Sequence, residues 1–367
     1  MGSKSSALAS LVNMSSVKMN SYLGKRILVT GHTGFKGSWL TRMLVHLGAE
    51  VSGLALEPEP NCLYQRLGQS GVVSESFIDI RNQADVEEYF SSQSFDGVFH
   101  LAAQSLVRRS YVEPLQTFET NVLGTGNILD SVLRSNSAKW VVAVTTDKVY
   151  RNMENEDGYR EDSPLGGTDP YSASKAACEM IVYAYQNLAK LKFTNQHFVA
   201  VRSGNVIGGG DTAQDRLFPD ILRSFQSNNP ISLRSPKAIR PWQHVLDPLS
   251  GYLKIGERLL SGDEVSESFN FGPDLRSKLT VEEMVQTACS LWPFPAGYKN
   301  EKSVENYVET EYLWLNSDKA RNELGWANKL DAVQSIEWTL AWEKSASMFS
   351  ARDALDRQVR QFLELSL

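Results

Sequence analysis

A doubly wound α/β fold, a parallel sheet with helices on both faces, is expected for this chain from three features. Short β-branched runs alternate with helix-length segments, most of those runs are nearly all apolar, and the first opens into a glycine turn followed by helical periodicity. Strands buried on both faces read as continuous apolar runs, and parallel neighbours need a crossover of about a dozen residues or more.

In chain order the strands are expected at Arg26 to Thr30, Val51 to Leu56, Val72 to Ile78, Gly97 to Leu101, Trp140 to Thr145 and Phe198 to Arg202. After Gly204 the alternation gives way to a Gly-rich loop, a helix around Phe218 to Phe225 and a Pro-bounded stretch near Arg240. Amphipathic helices follow at Asp331 to Ser345 and Ala351 to Leu365. Residues 21–203 are therefore expected to form the dinucleotide-binding domain. Residues 204–367 should form mainly a smaller α/β substrate lobe, with a strand and helices returning to the first domain. The Ser-rich stretch 1–20, with Met14 and Met19, is expected to be a disordered leader or tag outside the fold.

Composition narrows the function. The 367 residues are 42% hydrophobic, enough for one large core or a core and a lobe, and the net charge is −6 with scattered basic residues. That scatter argues against a surface tracking nucleic acid, so an anionic ligand needs a local positive pocket. Cys62, Cys178 and Cys289 have neither disulfide nor zinc-ligand spacing, and no apolar run reaches the roughly 18 residues of a membrane span. No metal and a cytoplasmic location are the expectations.

The strand Ile27-Leu28-Val29-Thr30 runs into Gly31-His32-Thr33-Gly34-Phe35-Lys36-Gly37, and helical periodicity follows over Ser38 to Leu47. A helix N-terminus presents unpaired N–H groups and the positive end of its dipole, so a pyrophosphate can sit there if no Cβ blocks its approach. A glycine triplet alone is a weak signal, but the flanking strand and helix supply the context that gives it meaning. Glu57, at the end of the second strand, stands where an acid would bond the ribose hydroxyls and repel a 2′-phosphate, which favours NAD over NADP. Asp79 and Ile80 are expected near the adenine, and Leu101, Ala102 and Ala103 beside the dinucleotide.

Tyr171 and Lys175 lie four residues apart, on one helix face. A lysine so placed, with an oxidised nicotinamide, would lower the phenol's pKa and make Tyr171 a base. Alone, this pair is common by chance. Thr145-Thr146-Asp147-Lys148 at the end of the fifth strand adds a hydroxyl, an acid and an amine where open parallel sheets bind their ligands. A polar turn with a surface ion pair is the plainer alternative.

Together these motifs resemble the extended short-chain dehydrogenases, a Rossmann-type family, over about residues 25 to 345, and specifically their nucleotide-sugar 4,6-dehydratases. Asp147-Lys148, where the dTDP-glucose branch carries Asp-Glu, is similar to the CDP-glucose branch. So are Gly31 to Leu40, Gly204 to Asp220 and Ile239 to Pro248. The resemblance implies that Asn205, Arg216 and Arg240 approach the sugar nucleotide, with Gln104 and His244 beside it, and that Asn121 and Thr145 join the cofactor site. It also implies a mechanism. Tyr171 takes the 4-hydroxyl proton as hydride passes to NAD, Thr146 orients that hydroxyl, Lys148 removes the C5 proton and Asp147 protonates the departing C6 hydroxyl. Hydride then returns to C6. Lys148 would serve as base or as electrostatic stabiliser.

A nucleotide-sugar 4-epimerase would share the loop and the Tyr/Lys pair but not need Asp147-Lys148. A non-catalytic dinucleotide-sensing regulator would need neither. His100 is expected to be a satisfied core residue, and His32 to line the site without proton chemistry. A homodimer or dimer of dimers is expected by analogy, through Pro114 to Arg134 and Ser172 to Lys190.

Overall fold

The computed structural model describes residues 20–153, 155–233, 235–292, 297–300 and 312–365; apart from Asn20, the expected leader lies outside them. Seven parallel strands form the central sheet: β1 (Arg26–Thr30), β2 (Glu50–Ala55), β3 (Ser74–Phe77), β4 (Gly97–His100), β5 (Trp140–Val144), β6 (His197–Ser203) and β7 (Ser268–Phe271). Their spatial order is β7-β6-β5-β4-β1-β2-β3.

Apart from β3, each strand buries two faces, and successive side chains divide between them. On β1, Ile27 and Val29 enter one core with α1 (Phe35–His46), while Leu28 enters the other with α2 (Gln83–Ser92) and α3 (Gly124–Ser135). The long α4 (Pro170–Leu191) packs on that second face through Val182 and Ala189. Gly97 has no side chain because Trp140 of the neighbouring strand occupies the space; a Cβ would stand 2.0 Å from its ring. β3 is shorter than expected. It is an edge strand, paired on one side alone, and Val72 before it is exposed.

Beyond β6 the chain builds a lobe around α5 (Leu217–Ser227) and then returns through α6 (Leu246–Leu260) and β7. The lobe's own core gathers Phe218, Ile221 and Phe225 of α5 with Ile336 and Leu340 of α7 (Ala332–Met348). The last helix, α8 (Ala351–Glu364), turns back onto α1, where Arg42 grips Asp356 through two bonds of 2.9 and 2.7 Å. The chain proceeds from β1 outward to β3 and then crosses back to β4 on the other side of β1. Loops leaving β1 and β4 therefore diverge, opening a crevice at the C-terminal edge of the sheet.

Candidate active site

That crevice continues under the lobe as one cavity of about 1100 Å³. Nine Lys or Arg and six Asp side chains line it, among the described residues, so a chain of net negative charge carries a locally positive pocket suited to an anion. The residues expected from the sequence at the site line this cavity with four exceptions: His32, Glu57, Asn121 and His244.

The cofactor end is set by the turn between β1 and α1. Gly31 has φ +71°, and a Cβ there would lie 2.8 Å from the Ala102 nitrogen; at Gly37 it would lie 2.0 Å from the Gly31 carbonyl oxygen. Both positions admit only glycine without rearrangement. No side chain caps α1, so the N–H groups of its first turn are left to the cavity, a cradle that fits a pyrophosphate. Asp79 lines the far end but is held by Arg81 in a bidentate pair, which keeps its carboxyl below the usual range.

Glu57 is exposed just beyond Leu56, which does line the cavity. Asn121 sits one layer back in a π-turn, where its side chain accepts from the Gln104 nitrogen at 2.8 Å and donates to Ser174 Oγ at 2.9 Å, pinning the loop after β4 to α4. His244, expected at the substrate, is instead buried in the core between Trp39 and Trp338, with ring centroids 5.7 and 5.8 Å away. Burial lowers its pKa to about 3, so the ring stays neutral. His32 is likewise buried and off the cavity wall, its Nε2 3.4 Å from Glu75. His100 is bonded on both nitrogens, to Thr30 and Thr125.

At the reaction end, α4 begins where it does because Asp169 caps it, accepting from the Ser172 nitrogen at 2.9 Å, and Pro170 occupies the first turn. This cap, a device worth about 0.5–2 kcal/mol, aims Tyr171 and Lys175 at the end of β5. Lys175 lines the cavity together with Tyr171. Its Nζ donates to the Val144 carbonyl at 3.2 Å, and burial lowers its own pKa. Enclosure pushes the Tyr171 phenol up to about 12 against the opposing influence of Thr146. In this geometry desolvation outweighs the lowering influence of Thr146 and Arg216.

Thr146 donates to Asp147 Oδ1 at 3.0 Å and caps the short turn Asp147–Val149. Asp147 is 2% exposed and its Oδ2 has no hydrogen-bond partner. Burial raises its pKa against the opposing pull of Lys148, the Thr146 bond, Arg240 and Lys36, so the carboxyl holds its proton more tightly than a solvated aspartate does. Lys148 lines the cavity beside it.

Several contacts within the site were not legible in the sequence. Lys36, expected at the cofactor, reaches across to donate to Ser203 Oγ at 2.7 Å, and burial with Arg216 nearby lowers it to about 7. Arg216 is bonded to Asp211 and to Ser105, and Arg108 to Asp215, so the two sides of the cavity are latched together. Thr145 donates to Glu179 at 2.5 Å, and Glu179 in turn holds Arg202 in a buried pair. Only topology brings these together; no local spacing marks them.

A doubly wound dinucleotide-binding domain with a Tyr/Lys pair and a buried acid facing a lobe-covered cavity defines a cofactor-dependent enzyme of the short-chain dehydrogenase class. Residues 27–272 match the NAD dependent epimerase/dehydratase family, and the chain belongs to it. It is 42% identical to a CDP-glucose 4,6-dehydratase of Salmonella typhimurium over 90% of this chain and 95% of that protein. It is 26% identical to a dTDP-glucose 4,6-dehydratase of Haemophilus influenzae over 86% and 97%. Among solved structures, a dTDP-glucose 4,6-dehydratase from Streptomyces venezuelae with NAD and TYD bound shares the fold, with a TM-score of 0.75, 23% identity and coverage of 89% and 98%. The cofactor is NAD, and the bare N-terminus of α1 fits it.

Proposed function

We propose that this chain removes water from CDP-glucose to give a CDP-4-keto-6-deoxy sugar, with Tyr171, Thr146, Asp147, Lys148 and Lys175 as the reacting and orienting groups. The observation that carries this reading is the buried Asp147 carboxyl, its Oδ2 unpartnered and its pKa raised by burial, lining one cavity with the Lys148 amine and Tyr171. A protonated acid is what expulsion of a hydroxyl requires, and a simple epimerisation has no use for one. The 42% identity to a CDP-glucose 4,6-dehydratase supports the nucleotide.

In this reading Tyr171 accepts the 4-hydroxyl proton, and Thr146 holds that hydroxyl in line. Lys148 takes the C5 proton, made acidic by the adjacent ketone, and Asp147 protonates the leaving C6 oxygen. Lys148 later returns the proton to C5. The chemistry NAD supplies when bound is storage of the hydride that leaves C4 and returns to C6. Lys175 and the N-terminus of α1 hold it, and Arg216 and Arg240 face the diphosphate.

Incubating the NAD-loaded protein separately with CDP-glucose, dTDP-glucose, UDP-glucose and GDP-mannose tests this by product mass and alkaline 4-keto absorbance. Loss of one water from CDP-glucose is the expected result. An isomer of unchanged mass would replace dehydration with 4-epimerisation.

The working unit in this reading is a homodimer in the cytoplasm, where the free thiols of Cys62, Cys178 and Cys289 persist. Leu115, Phe118 and Leu123 on one segment and Met180 and Tyr183 on α4 are exposed apolar side chains placed for pairing. Leu123→Glu should then give a monomer by light scattering; an unchanged dimer would move the interface elsewhere.

A further inference from the structure

The glycine-rich loop Gly208-Gly209-Gly210 carries the chain from Ile207 to Asp211, and side chains outside the cavity wall hold it in place. Trp39 of α1 donates its ring N–H to the Gly209 carbonyl at 3.2 Å. Trp342 of α7 packs against Gly209 so closely that a Cβ there would stand 2.0 Å from its ring. Gly210, at φ +80°, donates its N–H to Oε1 of Glu343, the next residue of α7, at 2.8 Å and across 133 positions of sequence. We propose that Glu343 is a positioning residue for substrate binding: by anchoring Gly210 it fixes Asp211, and through Asp211 it aims Arg216 at the diphosphate of the sugar nucleotide.

The path from Glu343 to the cavity is short. Asp211 follows Gly210 directly, is 8% exposed and uses both carboxylate oxygens, Oδ1 accepting from the Ala213 nitrogen at 3.1 Å and Oδ2 from Arg216 Nη1 at 3.1 Å. Arg216 Nη2 donates to Ser105 Oγ at 3.3 Å. Asp211, Arg216 and Ser105 line the cavity. A guanidinium carries more N–H donors than these two bonds use, in a planar fork that meets phosphate oxygens well in one orientation. Asp211 supplies that orientation, and it is only as well placed as the backbone before it. Glycine has the most conformational freedom to lose, so a run of three needs an anchor from outside the loop.

Glu343 is itself held. Its side chain is 13% exposed, and Oε2 lies 3.8 Å from Arg66, whose guanidinium stands over the Trp342 ring at 5.0 Å. Arg66 closes the helical turn Leu63–Arg66 that follows β2, so the anchor joins the cofactor-binding domain to the loop that carries Arg216. The acceptor oxygen, not the charge, is the useful part of Glu343, because a negative charge behind Arg216 opposes an incoming anion. Substitution separates the two. Glutamine keeps an acceptor at the same reach without the charge, whereas aspartate keeps the charge and falls one methylene short of Gly210.

The inference rests on the dehydration reading with Arg216 at the diphosphate, and the experiment separates the two. CDP, dTDP, UDP and GDP are titrated by calorimetry into the NAD-loaded parent. The diphosphate that binds is then titrated into Glu343→Gln, Glu343→Asp, Glu343→Met, Arg216→Met and Glu343→Asp/Arg216→Met, and kcat and KM are measured with the matching sugar nucleotide. Glu343→Gln should bind as tightly as the parent or more tightly. Glu343→Asp and Glu343→Met should bind about tenfold more weakly, the size of one lost bond to a charged group, with KM raised alike and kcat and NAD affinity held within about twofold. In the Arg216→Met background, Glu343→Asp should add no further loss. Additive losses, or a loss in kcat in place of KM, would make Glu343 a general support of the fold and overturn the proposal. Parent-like affinity in Glu343→Asp and Glu343→Met, or weakened affinity in Glu343→Gln, would overturn it as well. If a diphosphate binds but its sugar nucleotide loses no water, the dehydration reading fails while the affinities still judge Glu343; if none binds the parent, both fail.

Discussion

Replacing Glu179 by Leu should destabilise the protein more than any comparable surface change, because it strands a buried guanidinium. Arg202 donates to Glu179 at 2.9 and 2.7 Å, and both side chains are 4% exposed. Removing one partner of such a pair costs about 3–5 kcal/mol, most of it the penalty of an uncompensated buried charge. An unfolding entropy of about 2.1 cal/mol/K per residue scales to about 0.8 kcal/mol/K for 367 residues. The Glu179→Leu variant should therefore melt about 4–6 °C lower by calorimetry at pH 7. Arg202→Met should fall similarly, leaving the carboxylate stranded instead. The Glu179→Leu/Arg202→Met double variant removes both charges and should recover most of the loss, although Tyr150 then keeps only Asn270 as a partner for its hydroxyl. A double variant as unstable as the worse single one would refute the reasoning, since packing rather than stranded charge would then set the cost.

Asp247 is buried with its pKa raised to about 7, chiefly by burial, so the folded state binds its proton more tightly than the unfolded chain does. The associated stability is intact below about pH 4 and lost as pH rises toward 7. Relative to Asp247→Asn, which keeps the acceptor for the Lys329 nitrogen at 2.6 Å, the parent's Tm should decline as pH rises from about 4 to about 7; parallel curves would disprove it. Lys36→Met removes a charge that draws Asp147 downward, so the alkaline limb of the pH–kcat profile should move to higher pH, and an unmoved limb would exclude the coupling. Gly37→Ala, whose Cβ would meet the Gly31 oxygen at 2.0 Å, should abolish NAD binding measured by calorimetry; retained affinity would mean that the turn yields.

The six expected strands all occur, within a few residues of their expected bounds; all but β3 are apolar runs enclosed on two faces, and that pattern survives in one dimension. β3 departs most. It has one neighbour and a partly wet face, so tertiary position rather than local composition sets its length. The glycine turn was legible for the same kind of reason: Gly31 and Gly37 satisfy contacts within a seven-residue stretch.

The site divides along that line. Thr146, Asp147, Tyr171 and Lys175 occupy positions tied to a strand end or a helix start, which sequence periodicity locates. Lys36 with Ser203 spans 167 positions and Arg216 with Ser105 spans 111, so no window of sequence contains either pair. His244 failed for a complementary reason. Its neighbours in the chain, Arg240 and Trp242, line the cavity, but its ring turns away into the core between two tryptophans. Membership of a motif located the segment, and packing decided which of its side chains faced the ligand. The same packing gives Asp147 its function. An aspartate in a polar turn would be ionised at neutral pH; its enclosure at the end of β5 favours the proton that its proposed role must deliver.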